Sequence, residues 1–140
     1  MSPVVLDPSL VRRHLLALDA AVQTLRRHAG RPPELRADLE ERWIVERGLQ
    51  LCAQNCLDVA THLSASAGVD VPDYAAAIDA LVGLGILPAE FVARFRGIAG
   101  FRNVVVHGYL SVDPAILYKL LDERLDDFAI FAAHIEQYLS

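Results

Sequence analysis

Val11, Leu15, Leu18, Val22 and Leu25 step along the chain by fours and threes with polar residues between them. That spacing keeps an apolar stripe on one side of an α-helix. Asp7 and Pro8 mark its start: a short carboxylate accepts from the first unpaired N–H groups, and proline's fixed φ suits the first turn. Gly30 closes the helix and "RPPE" turns the chain. The same alternation returns at Val45, Leu49, Cys52, Cys56, Val59 and Leu63 and predicts a second helix over about residues 34–66. The loop "SASAGVDVPD" leads to a short helix over about 74–84. After "GLGILP" a fourth helix is expected over about 88–107. Gly97 and Gly100 inside it each cost about 1 kcal/mol relative to Ala, which close approach by another helix or a ligand would offset. Gly108 ends it. Asp113 and Pro114 repeat the cap-and-proline start, and Leu117, Leu121, Leu125, Phe128, Phe131, Ile135 and Leu139 form the last stripe.

No alternating strand pattern competes with this. "FRNVVVHGYL" is ambiguous, because three valines favour a strand, but its place before a helix stop predicts a helix end with the valines on the buried side. The expectation is an all-α antiparallel bundle of four long helices and one short helix, in one domain over residues 1–140.

Composition sharpens this picture in three ways. A chain that is 54% hydrophobic and 22% charged can fill a core, and no apolar run nears the roughly 20 residues that span a bilayer. "MSPVVLDPSLVRR" has no basic-then-apolar leader, so a cytoplasmic protein is expected, without a membrane partner. The net charge of −5 argues against broad non-specific binding to nucleic acid, and DNA is not an expected partner. Every basic residue except Lys119 is Arg, which suits bidentate contacts with phosphate and equally fits a GC-rich genome. Cys52 and Cys56 lie on the apolar seam and lack the further Cys or His of a zinc site, so they are expected in the core, with no metal and no cofactor.

The polar residues around the valines call for an explanation. On a helix Asn103 and His107 lie one turn apart on one face, and Arg102 and His107 are about 140° apart around the axis, flanking a strip. His can move a proton near neutral pH, Arg can stabilise charge growing on a phosphate, Asn can orient either, and a Tyr such as Tyr109 can stack or donate. Together these would suffice for RNA cleavage by attack of a ribose 2′-OH on its own phosphate, with no metal. Spacing alone favours the plainer reading, in which His107 complements the helix dipole and Arg102 is a surface residue. A second row, Asn55, Asp58 and His62, is either a solvated face or a lining of the same cleft in which Asp58 orients a neighbour. His14, His28 and His134 stand alone and are expected at the surface.

"RNVVVHGY" resembles the R-x4-H-x-Y signature of the HepT-like ribonuclease toxins of the HEPN superfamily. "ILPAEFVARFRGIAGFRN", "DPAILYKLLDERLDDF" and "RWIVERGLQLCAQNCLDVATHL" are similar to that family too, so the likeness runs from about Leu39 onward. The resemblance implies a homodimeric helical bundle with its cleft at or near the dimer interface. It places Arg102 and His107 at the catalytic positions, with Asn103 at the polar position after the Arg. The activity implied is metal-independent endoribonuclease, as the toxin of a type VII toxin–antitoxin pair; the acidic net charge favours a selective substrate such as tRNA. The partner implied is an MntA-like nucleotidyltransferase antitoxin that transfers AMP to the signature tyrosine, here Tyr109. The alternative is a non-catalytic helical dimer that binds a nucleotidyltransferase or a nucleotide.

Overall fold

The computed structural model describes residues 4–107 and 112–140, and among these residues every regular element is a helix. In chain order they are α1 (Pro8–Arg26), α2 (Pro33–Arg36), α3 (Leu39–Ser66), α4 (Tyr74–Gly83), α5 (Ala89–Phe95), α6 (Ile98–His107), α7 (Pro114–Glu123) and α8 (Leu125–Leu139). The all-α architecture is the expected one. The starts read from sequence hold as well: Asp7 Oδ1 accepts from Leu10 N at 3.1 Å, and Asp113 Oδ1 from Ala115 N at 2.9 Å, each followed by proline.

α3 is the central element, packed against α1, α4, α6 and α7, while α8 lies chiefly on α1. Its buried positions run from Val45 through Leu49, Leu57 and Leu63. They include Cys52 and Cys56, both fully buried free thiols, as their place on the seam requires. Burial pushes the Cys52 thiol up to about 12 and raises that of Cys56 well above its ordinary value. α1 and α3 meet closely at Gly48, where a Cβ would lie 2.6 Å from Leu25 Cδ2. α5 is tied to α8 by rings: Phe95 stacks on Phe91 at 4.7 Å and on Phe131 at 5.3 Å, with Phe128 edge-on at 5.9 Å.

Three of the long helices expected from periodicity are divided. Asp38 adopts an extended backbone and caps α3 through Glu40 N at 3.3 Å, which cuts off the single turn of α2. Gly97, a poor helix residue, follows the last residue of α5 by two, and the chain re-enters a helix at Ile98. Arg124 (φ −123°, ψ 1°) breaks the last stripe, so that α7 faces α3 while α8 faces α1. None of these helices is long and apolar enough to cross a membrane.

The three isolated histidines are not surface residues. His28 Nδ1 lies 2.7 Å from the carboxylate of Glu41 and its side chain is only 12% exposed. His14 Nδ1 lies 2.9 Å from Asn55 Oδ1, and His134 is half-buried with its ring 6.0 Å from that of Phe91. Each fills a gap between helices that one-dimensional periodicity does not show.

Candidate active site

α6 starts from a buried root and packs on α3 and α4. Ile98 and Ala99 are its only buried residues. Val104 is 54% exposed, and Val105 and Val106 are half-buried. The expectation that the valines form a buried side is therefore corrected: Val105 packs against the core from a half-buried position, while Val104 is exposed. Val104 instead lines an apolar groove of about 400 Å³, together with Phe101, Val112, Ile116 and Phe128. Gly97 and Gly100 also line it, and a Cβ at either would meet nothing within 4 Å. Among the described residues no helix approaches them closely, so of the two reasons expected from sequence, a neighbouring helix or a ligand, the neighbouring helix is set aside.

Arg102 sits half-buried where α6, α3 and α4 converge. Its Nε donates to Gln54 Oε1 at 2.8 Å and its Nη1 to Asn103 Oδ1 at 3.1 Å. Its Cζ lies 5.1 Å from the centre of the Tyr74 ring, a cation–π distance. Gln54 is anchored in turn: its Nε2 donates to Asp58 Oδ1 at 2.7 Å and, at a longer 3.4 Å, to the Tyr74 hydroxyl. Gln54 and Asp58 are one turn apart on α3, which puts them on one face. Tyr74 is the first residue of α4, held there by the Asp73 cap on Ala76 N at 2.8 Å.

The electrostatics of this cluster differ from those of its neighbours. Arg94 pairs with Asp127 at 3.2 Å and Arg96 with Asp79 at 2.9 Å. Arg102 is held by two amide oxygens and a ring face, and among the described residues no carboxylate lies within ion-pair distance of it. Its orientation is fixed while its charge stays uncompensated. Such a guanidinium can still bind phosphate and stabilise charge developing on it.

His107 is the exposed last residue of α6 and Asn103, one turn before it, is exposed as well. The structure joins Arg102 and Asn103 directly but, among the described residues, places no hydrogen bond between Arg102 and His107. Tyr109, expected to accept AMP, and Gly108 lie outside the described residues. The second polar row is divided. Asp58 joins the Arg102 cluster through its hydrogen bond from Gln54. Asn55 holds His14, and His62 Nε2 accepts from Asp7 N at 3.0 Å, so both fasten α3 to the start of α1. Gln54 and Tyr74 were not legible as site residues. Gln54 carried one signal, its position one turn before Asp58; Tyr74 carried none. Among the described residues no three of His, Cys, Asp and Glu converge as a metal site requires.

The chain is similar to known proteins. The model of the family described as Ribonuclease HepT-like matches residues 18–135. The tRNA nuclease HepT of Aphanizomenon flos-aquae is 28% identical over 105 residues, covering 74% of this chain and 71% of that protein. The mRNA nuclease HepT of Shewanella oneidensis is 19% identical over 123 residues, covering 87% and 92%. Among solved structures, the tri-AMPylated Shewanella oneidensis HEPN toxin in complex with MNT antitoxin has a TM-score of 0.83 at 18% identity, over 94% of this chain and 99% of that one. At that identity the likeness shows the fold.

Proposed function

The chain belongs to the HepT-like ribonuclease family, and from that premise we propose that it is a metal-independent endoribonuclease acting in the cytoplasm as the toxin of a toxin–antitoxin pair. The observation that carries this reading is the guanidinium of Arg102, oriented by Gln54, Asn103 and Tyr74 without a carboxylate partner. A bound RNA phosphate would take the place a carboxylate takes at Arg94 and Arg96. His107 removes the proton from a ribose 2′-OH, the 2′-oxygen attacks the adjacent phosphorus, and the 5′-oxygen leaves and takes up a proton. Arg102 stabilises the charge that builds on the phosphate oxygens, and Asn103 orients the site. The ends expected are a 2′,3′-cyclic phosphate and a 5′-hydroxyl. Selective RNA such as tRNA fits an acidic protein better than RNA at large, and the named activity of the Aphanizomenon relative points the same way.

Two copies form the working unit in this proposal. Val104 and Ile116, each 54% exposed beside the α6 groove, are apolar surface that a second copy would cover. Silencing is assigned to a nucleotidyltransferase antitoxin that transfers AMP to Tyr109, two residues after His107. Phosphates added there would occupy and neutralise the cleft.

Cleavage of tRNA by the purified protein in EDTA tests the proposal. Arg102→Ala and His107→Ala should each lower the rate by about a hundredfold or more. Equal cleavage by all three proteins would sink it. Tyr109→Phe should stay toxic in cells that co-express the antitoxin. Protection equal to that of wild type would remove Tyr109 from the switch.

A further inference from the structure

Gln54 occupies an unusual electrostatic position. Asp58 on one side of it is a carboxylate, which only accepts hydrogen bonds, and Arg102 on the other only donates. A residue that bridges them must donate at one end and accept at the other. The primary amide does this, and its two neighbours dictate which way it points: NH2 towards Asp58 at 2.7 Å, oxygen towards Arg102 Nε at 2.8 Å. The amide has one satisfied orientation, and the guanidinium inherits it. The bond is made at Nε, the one donor that lies behind the fork. The Nη2 edge is left to the substrate, and Nη1 is shared with Asn103. Asp58 thereby acts on Arg102 without touching it, and its negative charge is kept one residue away from the cation.

We propose that Gln54 is a positioning residue that aims Arg102 at the scissile phosphate, with Asp58 locking the Gln54 amide in the orientation this needs. The inference rests on the ribonuclease reading above. Its structural half, the grip on Nε, stands or falls separately. A carboxylate at position 54 would hold Arg102 more tightly but would neutralise it. An apolar residue would free it to swing. The amide both fixes the guanidinium and leaves its charge available.

The experiment uses the full chain with Gln54→Met, which keeps length and helix propensity, and Asp58→Ala, which removes the acceptor that orients the Gln54 amide. The first readout is the exchange of the Arg102 Nε proton with water, followed by NMR. Gln54→Met should speed it by about tenfold, as expected for loss of one charge-assisted hydrogen bond, and Asp58→Ala should speed it by about threefold, because the unlocked amide can turn. The second readout is tRNA cleavage. Gln54→Met should lower kcat by about tenfold with a smaller change in KM, because the aim matters most where charge develops. Asp58→Ala should lower kcat in the same direction and by less, and exchange and kcat both at the wild-type level would remove Asp58 from the lock. Unchanged Nε exchange in Gln54→Met would overturn the proposal whatever the enzyme does, and so would faster exchange with kcat at the wild-type level. Wild-type protein whose cleavage ignores Arg102→Ala would overturn the ribonuclease reading instead, and the exchange measurement tells that failure apart.

Discussion

Arg36 and Arg102 make the same aromatic contact in opposite electrical settings. Arg36 lies 4.5 Å above the ring of Tyr118, much as Arg102 lies over Tyr74. There the likeness ends. Arg36 forms a fork with Asp122, Nη1 to Oδ2 at 2.7 Å and Nη2 to Oδ1 at 2.6 Å, and Asp122 also accepts from Gly30 N at 3.0 Å. The pairing shifts both partners as it should. The Arg36 bond holds the Asp122 carboxyl below its usual range, and Asp122 raises Arg36. A second closed pairing stands near this one, where Glu41 takes His28 at 2.7 Å and Arg31 at 3.2 Å. At this end of the molecule cations are consumed in joining α2, α3 and α7 and the turn after α1. At the α6 end Arg102 is held by two amide oxygens and a ring, with no carboxylate within ion-pair distance among the described residues. The contrast teaches that the same aromatic contact can hold an arginine whose charge is cancelled or one whose charge remains free for an anion.

The closed pairings should be needed for the fold and not for cleavage. Glu41 is 8% exposed in its side chain and is the single carboxylate shared by His28 and Arg31. Glu41→Gln puts an amide NH2 where two donors converge. It should destabilise the protein by about 2–3 kcal/mol, read as a lower urea midpoint at unchanged slope. The folded variant should still cleave RNA. Arg102→Gln should do the reverse, removing cleavage with a midpoint near wild type. A Glu41→Gln midpoint equal to that of wild type would show that this cluster is not holding the fold.

One substitution should convert the open setting into a closed one. Gln54→Glu supplies Arg102 with the carboxylate it lacks, beside Asp58. The new pair should hold the guanidinium but offset its charge, and cleavage should fall by about tenfold. The loss should appear mainly in kcat. A variant as active as wild type would mean that charge left on Arg102 is not what the site requires.

How much of this was legible in sequence depends on the kind of signal. The stripes on α1 and α3, the Asp-Pro starts of α1 and α7, and the buried cysteines follow from local rules, and all appear in the structure. Arg102 and Asn103 could be singled out because they interrupt an apolar run. Gln54 and Tyr74 could not, since they are 48 and 28 residues from Arg102 in the chain and meet it only through packing. The bend at Arg124 was equally hidden: no Gly or Pro marks it, and the apolar stripe continues through it. The exposed Val104 shows the limit of periodicity itself. A pattern reports which side of a helix is apolar, and it does not report whether this chain supplies the surface that covers it.

The smallest expected effect separates the two settings by pH. Because the bond from Arg36 lowers the Asp122 carboxyl in the folded protein, the unfolded chain binds that proton more readily. The stability this pairing contributes is therefore fully present above the unfolded carboxylate value of about 4 and is lost as pH falls through the lower, folded value. Asp122→Asn should lower stability at neutral pH by about 1 kcal/mol. The figure is small because the Asp122 side chain is 35% exposed and solvent screens the pair. The deficit should shrink as the pH is lowered past about 4, so the wild-type and variant Tm curves converge in acid. Parallel curves would mean that the fork contributes through shape and packing on Tyr118 and not through charge. Among the described residues the Arg102 guanidinium has no ionised partner, so Gln54→Met should shift Tm by the same amount at neutral and acid pH. A Gln54→Met deficit that vanished in acid would place Asp58 in the first role, as an electrostatic anchor for Arg102, and would reduce the amide to a spacer.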